Sequence, residues 1–142
     1  MDTKYFKKIR IFDGGMGQEL LSKGLISKGT LWSASALIEK KFHKLVIDAH
    51  ISYINAGADI IVTNNFSARK IRFIQNKVLD KFQYANEQAG ILANKAREIS
   101  KQNILIAGSL PSQSDTYVED ERSSSEIQSD FEEQAKIISP YV

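Results

Sequence analysis

Short apolar runs alternate with longer amphipathic stretches along this chain, and each apolar run ends in polar or glycine-rich residues. Residues 8–12, 59–66 and 104–109 are rich in β-branched and aromatic side chains. Their length and content are typical of buried strands. The first run leads into Asp-Gly-Gly, where turn residues replace strand formers. The pattern therefore predicts three strands.

Between the strands, apolar residues recur at i, i+3 and i+4, the spacing of a helix that buries one face. Glycine or proline follows most of these stretches and favours their ends. Ser123 and Glu126 have the spacing of a capping box, which predicts the start of the last helix. The predicted helices cover QELLSKGL up to about Gly24, residues 35–55, residues 69–100 with a break near Asn76, and residues 125–138.

Strands and helices in strict alternation favour a parallel sheet joined by crossover helices, so the predicted class is α/β. In such folds, binding sites lie beyond the carboxyl ends of the strands. Three strands do not close a barrel, which needs about 250 residues. We therefore expect the chain to be the first part of a larger domain.

Composition fits a single globular domain of 142 residues with 42% hydrophobic content. Basic residues predominate in 1–114 and acidic residues in 115–142, with a net charge of +2. The basic side chains are scattered over several predicted helices rather than clustered with aromatic residues, which disfavours nucleic-acid binding. No apolar stretch has the length of a membrane span or a signal-peptide core. A cytoplasmic protein without a membrane partner is the expectation.

The turn DGGMG makes Asp13 the leading candidate for a site residue. The turn matches neither common glycine-rich phosphate motif, and no lysine follows within it. Three interpretations remain open: a tight structural turn, a carboxylate that binds a substrate amine, and an anion-binding turn. From the residues alone, Asp13 is suggestive of a site but not specific for one.

Two other segments could line the same site. Trp32, the only tryptophan, lies in a predicted loop and would be either a core residue or a cover over a substrate. Thr63, Asn64 and Asn65 follow the second predicted strand. Their side chains could bind a ligand or cap the next helix.

Metal and nucleophilic sites have little support in the residues. The chain has no cysteine, which excludes disulfides, thiolate catalysis and cysteine-bound metals within it. His43 and His50 are seven residues apart, whereas metal-binding pairs on a helix are usually four apart. We expect both to be surface or hydrogen-bonded helix residues.

Four segments taken together resemble the N-terminal part of the homocysteine S-methyltransferase family. They are IFDGGMGQEL, LWSASALIE, AGADIIVTNNF and IAGSLP, and they occur in the family's order over nearly the whole chain. The resemblance implies that residues 1–142 are the N-terminal part of a homocysteine-binding domain. The three predicted strands would then be the first three of a (β/α)8 TIM barrel, truncated here.

The resemblance also implies a function. Members transfer a methyl group from a donor such as S-methylmethionine, S-adenosylmethionine or betaine to the homocysteine thiolate, which a zinc ion holds, giving methionine. In the family's pattern the DGG acid contacts homocysteine, the LW segment lines the substrate or donor pocket, and the TN segment lies at the same rim. The implied substrate-binding residues are Asp13, Gly14, Gly15, Trp32, Ser33, Thr63, Asn64 and Asn65.

Two departures from the family pattern limit this interpretation. Ser67 stands where some members have an aromatic residue near the donor, with Phe66 beside it, so the donor is open. The family's zinc ligands are cysteines from later strands, and this chain has none. The expectation is an enzyme fragment, inactive alone, without catalytic residues or metal ligands of its own and with a missing C-terminal half as its partner.

Two alternatives remain beside the enzyme fragment. The first is a non-catalytic partner subunit or relic that associates through the open edge of its sheet. The second is an unrelated small α/β binding domain.

Overall fold

The computed structural model describes residues 3–114, 117 and 119–142. Strands β1 (Ile60–Val62) and β2 (Leu105–Ala107) pair in parallel, with Ile60 opposite Leu105 and Val62 opposite Ala107. Both lie inside predicted strands, which are confirmed with shorter bounds. The parallel pairing and the helices between the strands confirm the predicted α/β class.

Helices connect and cover this sheet. The α-helices of the described part are α1 (Met16–Ser22), α2 (Ser35–Ile38), α3 (His43–Asn55), α4 (Lys70–Gln75), α5 (Phe82–Ser100) and α6 (Ser124–Ile138). Short 3-10 helices cover Thr3–Lys7, Gly29–Ala34, Lys40–Phe42, Leu79–Lys81 and Ser139–Tyr141. Among the described residues, no helix is both long and apolar enough to cross a membrane.

The predicted buried strand at 8–12 is wrong in its extent and its burial. Only Phe12 forms a bridge, parallel to Ile60, although the backbone O of Ile11 also accepts a hydrogen bond from Ile60 N at 3.1 Å. Ile9 is 94% exposed and Phe12 is 53% exposed, because nothing in the described part of the chain packs over their outer side. The segment thus follows the direction of a strand beside β1 without forming a regular one.

Two predicted helices are interrupted. The stretch 35–55 divides into α2 and α3 because Glu39 adopts an extended backbone. The Glu39 carboxylate forms salt bridges with Lys28 Nζ at 2.7 Å and with Lys41 Nζ at 3.0 Å. The stretch 69–100 breaks at the predicted place, since Lys77, next to Asn76, has a positive φ of 58°.

The last helix begins as predicted. Ser123 and Glu126 form the capping box, in which the Ser123 backbone N–H donates to Glu126 Oε2 at 2.9 Å. On α6, Gln134 is fully buried whereas Phe131 is only partly buried. Residues 115, 116 and 118, between β2 and α6, lie outside the described residues.

The core lies between the sheet and the helices α3, α5 and α6. α3 packs against α5 and α5 against α6. Fully buried residues of this core include Val46, Ala49, Ile61, Ala85, Ala89, Ala93 and Ala96. The polar ends of the strands are therefore held by a packed layer beneath them.

The two histidines of α3 differ in their surroundings. His43 Nε2 lies 2.9 Å from the backbone O of Leu37, as expected for a hydrogen-bonded helix residue. For His50 the prediction is wrong, because its side chain is fully buried. Neither of its ring nitrogens has a hydrogen-bond partner among the described residues. The helical period places His50 on the inner face of α3, so its side chain is buried although it is polar.

Candidate functional site

A cleft of about 370 Å³ opens at the carboxyl ends of β1 and β2, beside the turn that follows Phe12. Its wall is mostly apolar, with one carboxylate and several hydroxyl and amide groups. The lining residues are Phe12, Asp13, Gly14, Gly15, Met16, Gly17, Trp32, Ser33, Val62, Thr63, Asn64, Phe66, Ser67 and Ser109. Of the eight residues that the sequence suggested for substrate binding, only Asn65 is not in this lining.

Asp13 is the acidic group of the cleft, and the backbone holds its carboxylate in place. Asp13 Oδ2 accepts a hydrogen bond from the Val62 backbone N–H at 2.9 Å. Burial raises the pKa of Asp13 to about 6, and the backbone N–H groups of Val62 and of Asp13 itself oppose that rise. A carboxyl with this pKa is mostly ionised at pH 7, and a cation bound beside it would favour the charged form further.

Two glycines of the turn lie against aromatic rings. A Cβ at Gly14 would stand 2.9 Å from Tyr53 Cε1, and a Cβ at Gly17 would stand 2.8 Å from Trp32 Cζ2. A Cβ at Gly15 would meet nothing within 4 Å. Burial raises the pKa of the Tyr53 phenol, and the nearby carboxylates of Glu19 and Asp13 add to this rise. The turn is thus shaped by close packing at Gly14 and Gly17.

Trp32 lines the cleft with a strained backbone. Its φ of 45° and ψ of −121° lie in a region that favours glycine. Such a conformation costs on the order of 1–3 kcal/mol and persists only where the surroundings enforce it. The half-buried indole packs on Gly17 and borders the cleft, so it is not a fully buried core residue, and a role as cover over a substrate stays a prediction.

Ser33 and Asn64 join the Trp32 segment to the end of β1. Asn64 Nδ2 donates to the backbone O of Ser33 at 3.2 Å, and Ser33 Oγ donates to Ser67 Oγ at 3.4 Å. All three side chains are nearly or fully buried. The hydrogen bonds hold two walls of the cleft together.

Thr63 and Asn65 have different places although both were predicted as rim residues. Thr63 lines the cleft, and its Oγ1 donates to Asn65 Oδ1 at 2.7 Å and accepts from the Ser109 backbone N–H at 3.2 Å. Asn65 is fully buried, and its Nδ2 donates to the backbone O of Ser109 and to Asn86 Oδ1. Asn65 therefore supports the cleft from behind.

Sequence reasoning missed much of the apolar wall. Phe12, Met16 and Val62 line the cleft beside Phe66, which is 48% exposed. Phe12 and Val62 end apolar runs whose following residues were already suggested as site residues. A search for site residues at strand ends that included the last apolar residue of each run would have found Phe12 and Val62.

The described residues do not provide a metal site. Among them no group of three or more His, Cys, Asp or Glu side chains lies close enough to hold a metal ion. Cysteine is absent from the whole sequence. A zinc ion of the kind that the family resemblance implies does not fit the donors of this chain.

A sequence profile described as homocysteine S-methyltransferase matches residues 10–142. The chain belongs to this family. Homocysteine S-methyltransferase from Escherichia coli is 33% identical over 113 residues, which cover 72% of this chain and 34% of that protein. Homocysteine S-methyltransferase 1 from Zea mays is 36% identical over 64 residues, which cover 45% of this chain and 19% of that protein.

The fold of this homocysteine S-methyltransferase family member also resembles that of a solved structure. It is the homocysteine methyltransferase MmuM from Escherichia coli in its metallated form, with a TM-score of 0.79 and 25% identity. The likeness covers 98% of this chain and 53% of that chain. The chain thus spans about half of the solved relative, and its sequence matches cover 19% to 34% of the two relatives above.

Proposed function

We propose that this chain is the N-terminal portion of a homocysteine S-methyltransferase domain, made of the first three βα units of a (β/α)8 barrel. Its part in the reaction is to bind and orient homocysteine. The observation that carries this proposal is the Asp13 carboxylate, held by the Val62 N–H in an otherwise mostly apolar cleft. Family membership supplies the class of substrate.

The proposed reaction is methyl transfer from a small onium donor to the homocysteine sulfur. The thiol first loses its proton, and the thiolate attacks the donor methyl carbon. The new S–CH3 bond forms as the donor's bond to that methyl breaks, and its electron pair stays on the donor. S-methylmethionine, S-adenosylmethionine and betaine all satisfy this balance, so the products are methionine and the demethylated donor.

Asp13 binds the homocysteine ammonium group in this proposal. An ionised carboxylate forms a short, charge-assisted hydrogen bond with an ammonium. Gly14 and Gly15 let the substrate approach the backbone closely. Trp32 and Ser33 form one wall for the remainder of the substrate or the donor, and Thr63 and Asn64 form the wall joined to it, while Asn65 fixes Thr63 from behind.

Activation of the thiol lies outside this chain in the proposal. The family resemblance implies a zinc ion for that role, but the donors it needs are not among the described residues, and the sequence has no cysteine. The chain alone is therefore a substrate-binding fragment, and the remaining half of the barrel would complete the enzyme.

The first test measures activity with and without a complementing half. The purified chain is expected to transfer no methyl group to homocysteine from any of the three donors, with or without added zinc. A fusion to the C-terminal half of the Escherichia coli relative is expected to restore transfer. Zinc-dependent turnover by the chain alone would contradict the fragment interpretation.

The second test concerns Asp13 in that fusion. Asp13→Asn removes the negative charge and is expected to raise the homocysteine dissociation constant by about tenfold or more, as for the loss of a charge-assisted bond. Asp80→Asn, on an exposed side chain outside the cleft, is the matched control and should leave the homocysteine dissociation constant unchanged. Equal homocysteine affinity in the two variants would contradict a role for Asp13 in binding homocysteine.

One observation favours a second function, that of a non-catalytic partner subunit. The segment beside β1 carries exposed apolar side chains, with Ile9 at 94% and Ile11 at 57% exposure. Unpaired strand edges of this kind promote association. Light scattering on the purified chain tests this alternative, and a protease-resistant monomer would contradict it.

A further inference from the structure

A set of buried carboxamide side chains lies behind the cleft and connects it to α6. Asn65, Asn86, Gln113 and Gln134 are each 2% exposed or less. They come from the end of β1, from α5, from the loop after β2 and from α6. Buried amides of this kind are costly unless they are hydrogen-bonded, so their pairing restricts the conformation of all four segments.

Gln134 is the member that joins the most segments. Its Nε2 donates to Asn86 Oδ1 at 3.0 Å and to the backbone O of Ala68 at 3.1 Å. Its Oε1 accepts from Gln113 Nε2 at 2.9 Å. One side chain of α6 thereby contacts α5, the segment after β1 and the loop after β2. Gln134 itself does not line the cleft.

The connection continues from Asn86 to the cleft wall. Asn86 Oδ1 also accepts from Asn65 Nδ2 at 3.1 Å, and Asn65 Oδ1 accepts from Thr63 Oγ1 at 2.7 Å. Both the oxygen and the nitrogen of the Asn65 amide are hydrogen-bonded, so the rotamer of Asn65 determines where the Thr63 hydroxyl lies.

We infer that Gln134 is a positioning residue for the cleft: through Asn86 and Asn65 it orients Thr63 and the Ser109 backbone, and so makes α6 part of the site's support. This deepens the proposed function, since it concerns the same cleft, but its geometry does not depend on the identity of the substrate. Without Gln134, Asn86 Oδ1 keeps the Asn65 donor alone, and Gln113 loses its acceptor on α6. Asn65 then keeps its own amide bonds, but its backbone O, which accepts from Gln134 Nε2 at 3.4 Å, loses its link to α6, and Thr63 shifts with Asn65.

The test uses Gln134→Met in the full chain, which keeps the side chain's length and removes its hydrogen bonds. Backbone amide resonances of Asn64 and Ser109 report on the cleft wall. The fluorescence of the single tryptophan reports on Trp32, to which Asn64 is linked through the Ser33 carbonyl. The expected result is a shift of these resonances together with greater quenching of Trp32 by acrylamide.

Two control variants lie on the same helix. Gln128→Met changes an exposed glutamine whose amide, among the described residues, reaches Glu132. Ile137→Val removes one partly buried methylene outside the amide set, on the side of α6 that borders Gln83, which lowers stability without touching that set. Neither should move the cleft signals. If Ile137→Val moves them as far as Gln134→Met does, Gln134 contributes stability only, and the inference is overturned.

Gln134→Glu keeps the proposal testable if the methionine variant fails to fold. An ionised carboxylate offers no donor to Asn86 Oδ1, whereas the protonated acid restores one. Because Asp13 in the same cleft has a pKa of about 6, each spectrum is compared with that of the wild type at the same pH. The cleft signals should be displaced from the wild type at pH 8 and approach it as the pH falls to 5. A displacement that does not change with pH, or none at all, would contradict the inference.

Substrate binding separates this inference from the proposed function. In the wild-type fusion, absence of homocysteine binding would contradict the proposed function and leave the Gln134 signals interpretable. If the wild type binds, Gln134→Met is expected to raise the homocysteine dissociation constant by about tenfold. Unchanged affinity with unchanged resonances would overturn the positioning role alone.

Discussion

Gly17 in α1 lies directly against the indole of Trp32, so that a Cβ there would stand 2.8 Å from Cζ2 and 2.9 Å from Cη2. Real Cβ atoms do not approach other heavy atoms this closely, and the contacted atoms belong to a rigid ring. The Trp32 backbone is itself strained, with a positive φ of 45°. The turn after Phe12 and the wall of the cleft are therefore packed as one unit.

Gly17→Ala is expected to displace the indole and to destabilise the fold by about 1–3 kcal/mol, the usual cost of overpacking. Gly15→Ala is the matched control, because its Cβ would meet nothing within 4 Å and its φ is −69°. Urea unfolding gives the stability and Trp32 emission gives the ring's environment. Equal behaviour of the two variants would contradict the packing argument.

Asp13 makes stability depend on pH in a defined direction. Its pKa is raised from 3.8 to about 6 in the folded chain, so between these values the folded state holds a proton that the unfolded state has lost. This contribution to stability is complete below pH 3.8 and is lost as the pH rises through 6. Asp13→Asn should therefore stabilise the chain at pH 8, by roughly 1 kcal/mol after allowance for solvent screening.

The measurement for Asp13 is urea unfolding of the wild type and the variant across pH 3.5 to 8. The two curves should converge at the acid end, separate as the pH rises from 3.8 to about 6, and stay a constant distance apart above that. Gln128→Ala, at an exposed side chain that carries no charge, serves as the control and should follow the wild type throughout. A constant difference at all pH values would show that Asp13→Asn acts through packing rather than through ionisation.

His50 has the opposite effect in an overlapping pH range. Burial lowers the pKa of His50 from 6.5 to about 4, so below pH 6.5 the unfolded chain binds a proton that the folded chain does not. Stability is lost as the pH falls from 6.5 to 4, by about 3 kcal/mol for a shift of this size. His50→Leu should remove this loss, because leucine does not titrate.

Thermal unfolding at pH 7 and pH 5 tests the role of His50. His50→Leu should narrow the difference in melting temperature between the two pH values. At pH 7 the His50 variant should also be no less stable than the wild type, since it removes two buried nitrogens without partners in the described chain. If the melting temperature of His50→Leu differs between pH 7 and pH 5 by as much as that of the wild type, the role assigned to His50 is refuted.

The capping box at the start of α6 predicts a small, local loss of stability. Ser123→Ala removes the hydroxyl that accepts from the Glu126 backbone N–H at 3.3 Å, which should cost about 1 kcal/mol. Ser124→Ala, one residue inside the helix, is the control. Amide hydrogen exchange in the first turn of α6 should increase only in Ser123→Ala.

Local patterns in the sequence were sufficient for many of the elements. The apolar runs that became β1 and β2, the break near Asn76 and the capping box of Ser123 and Glu126 all depend on residues close together in the chain. Periodicity, turn residues and caps act over a few residues, which is why they can be recognised without a structure. Asp13 was recognised for the same reason, since it follows an apolar run and precedes a glycine turn.

The sequence by itself determined the α/β class and the order of β1, β2 and the helices around them, and the family resemblance of its segments suggested seven residues that line the cleft. Only the tertiary structure decided that residues 8–12 form a single bridge, that His50 is buried, and that the Asn65 side chain turns away from the cleft toward Asn86. The first and last outcomes depend on partners distant along the chain, Ile60 for Phe12 and Asn86 for Asn65. Such contacts arise from packing between elements, and no local pattern of polar and apolar residues specifies them.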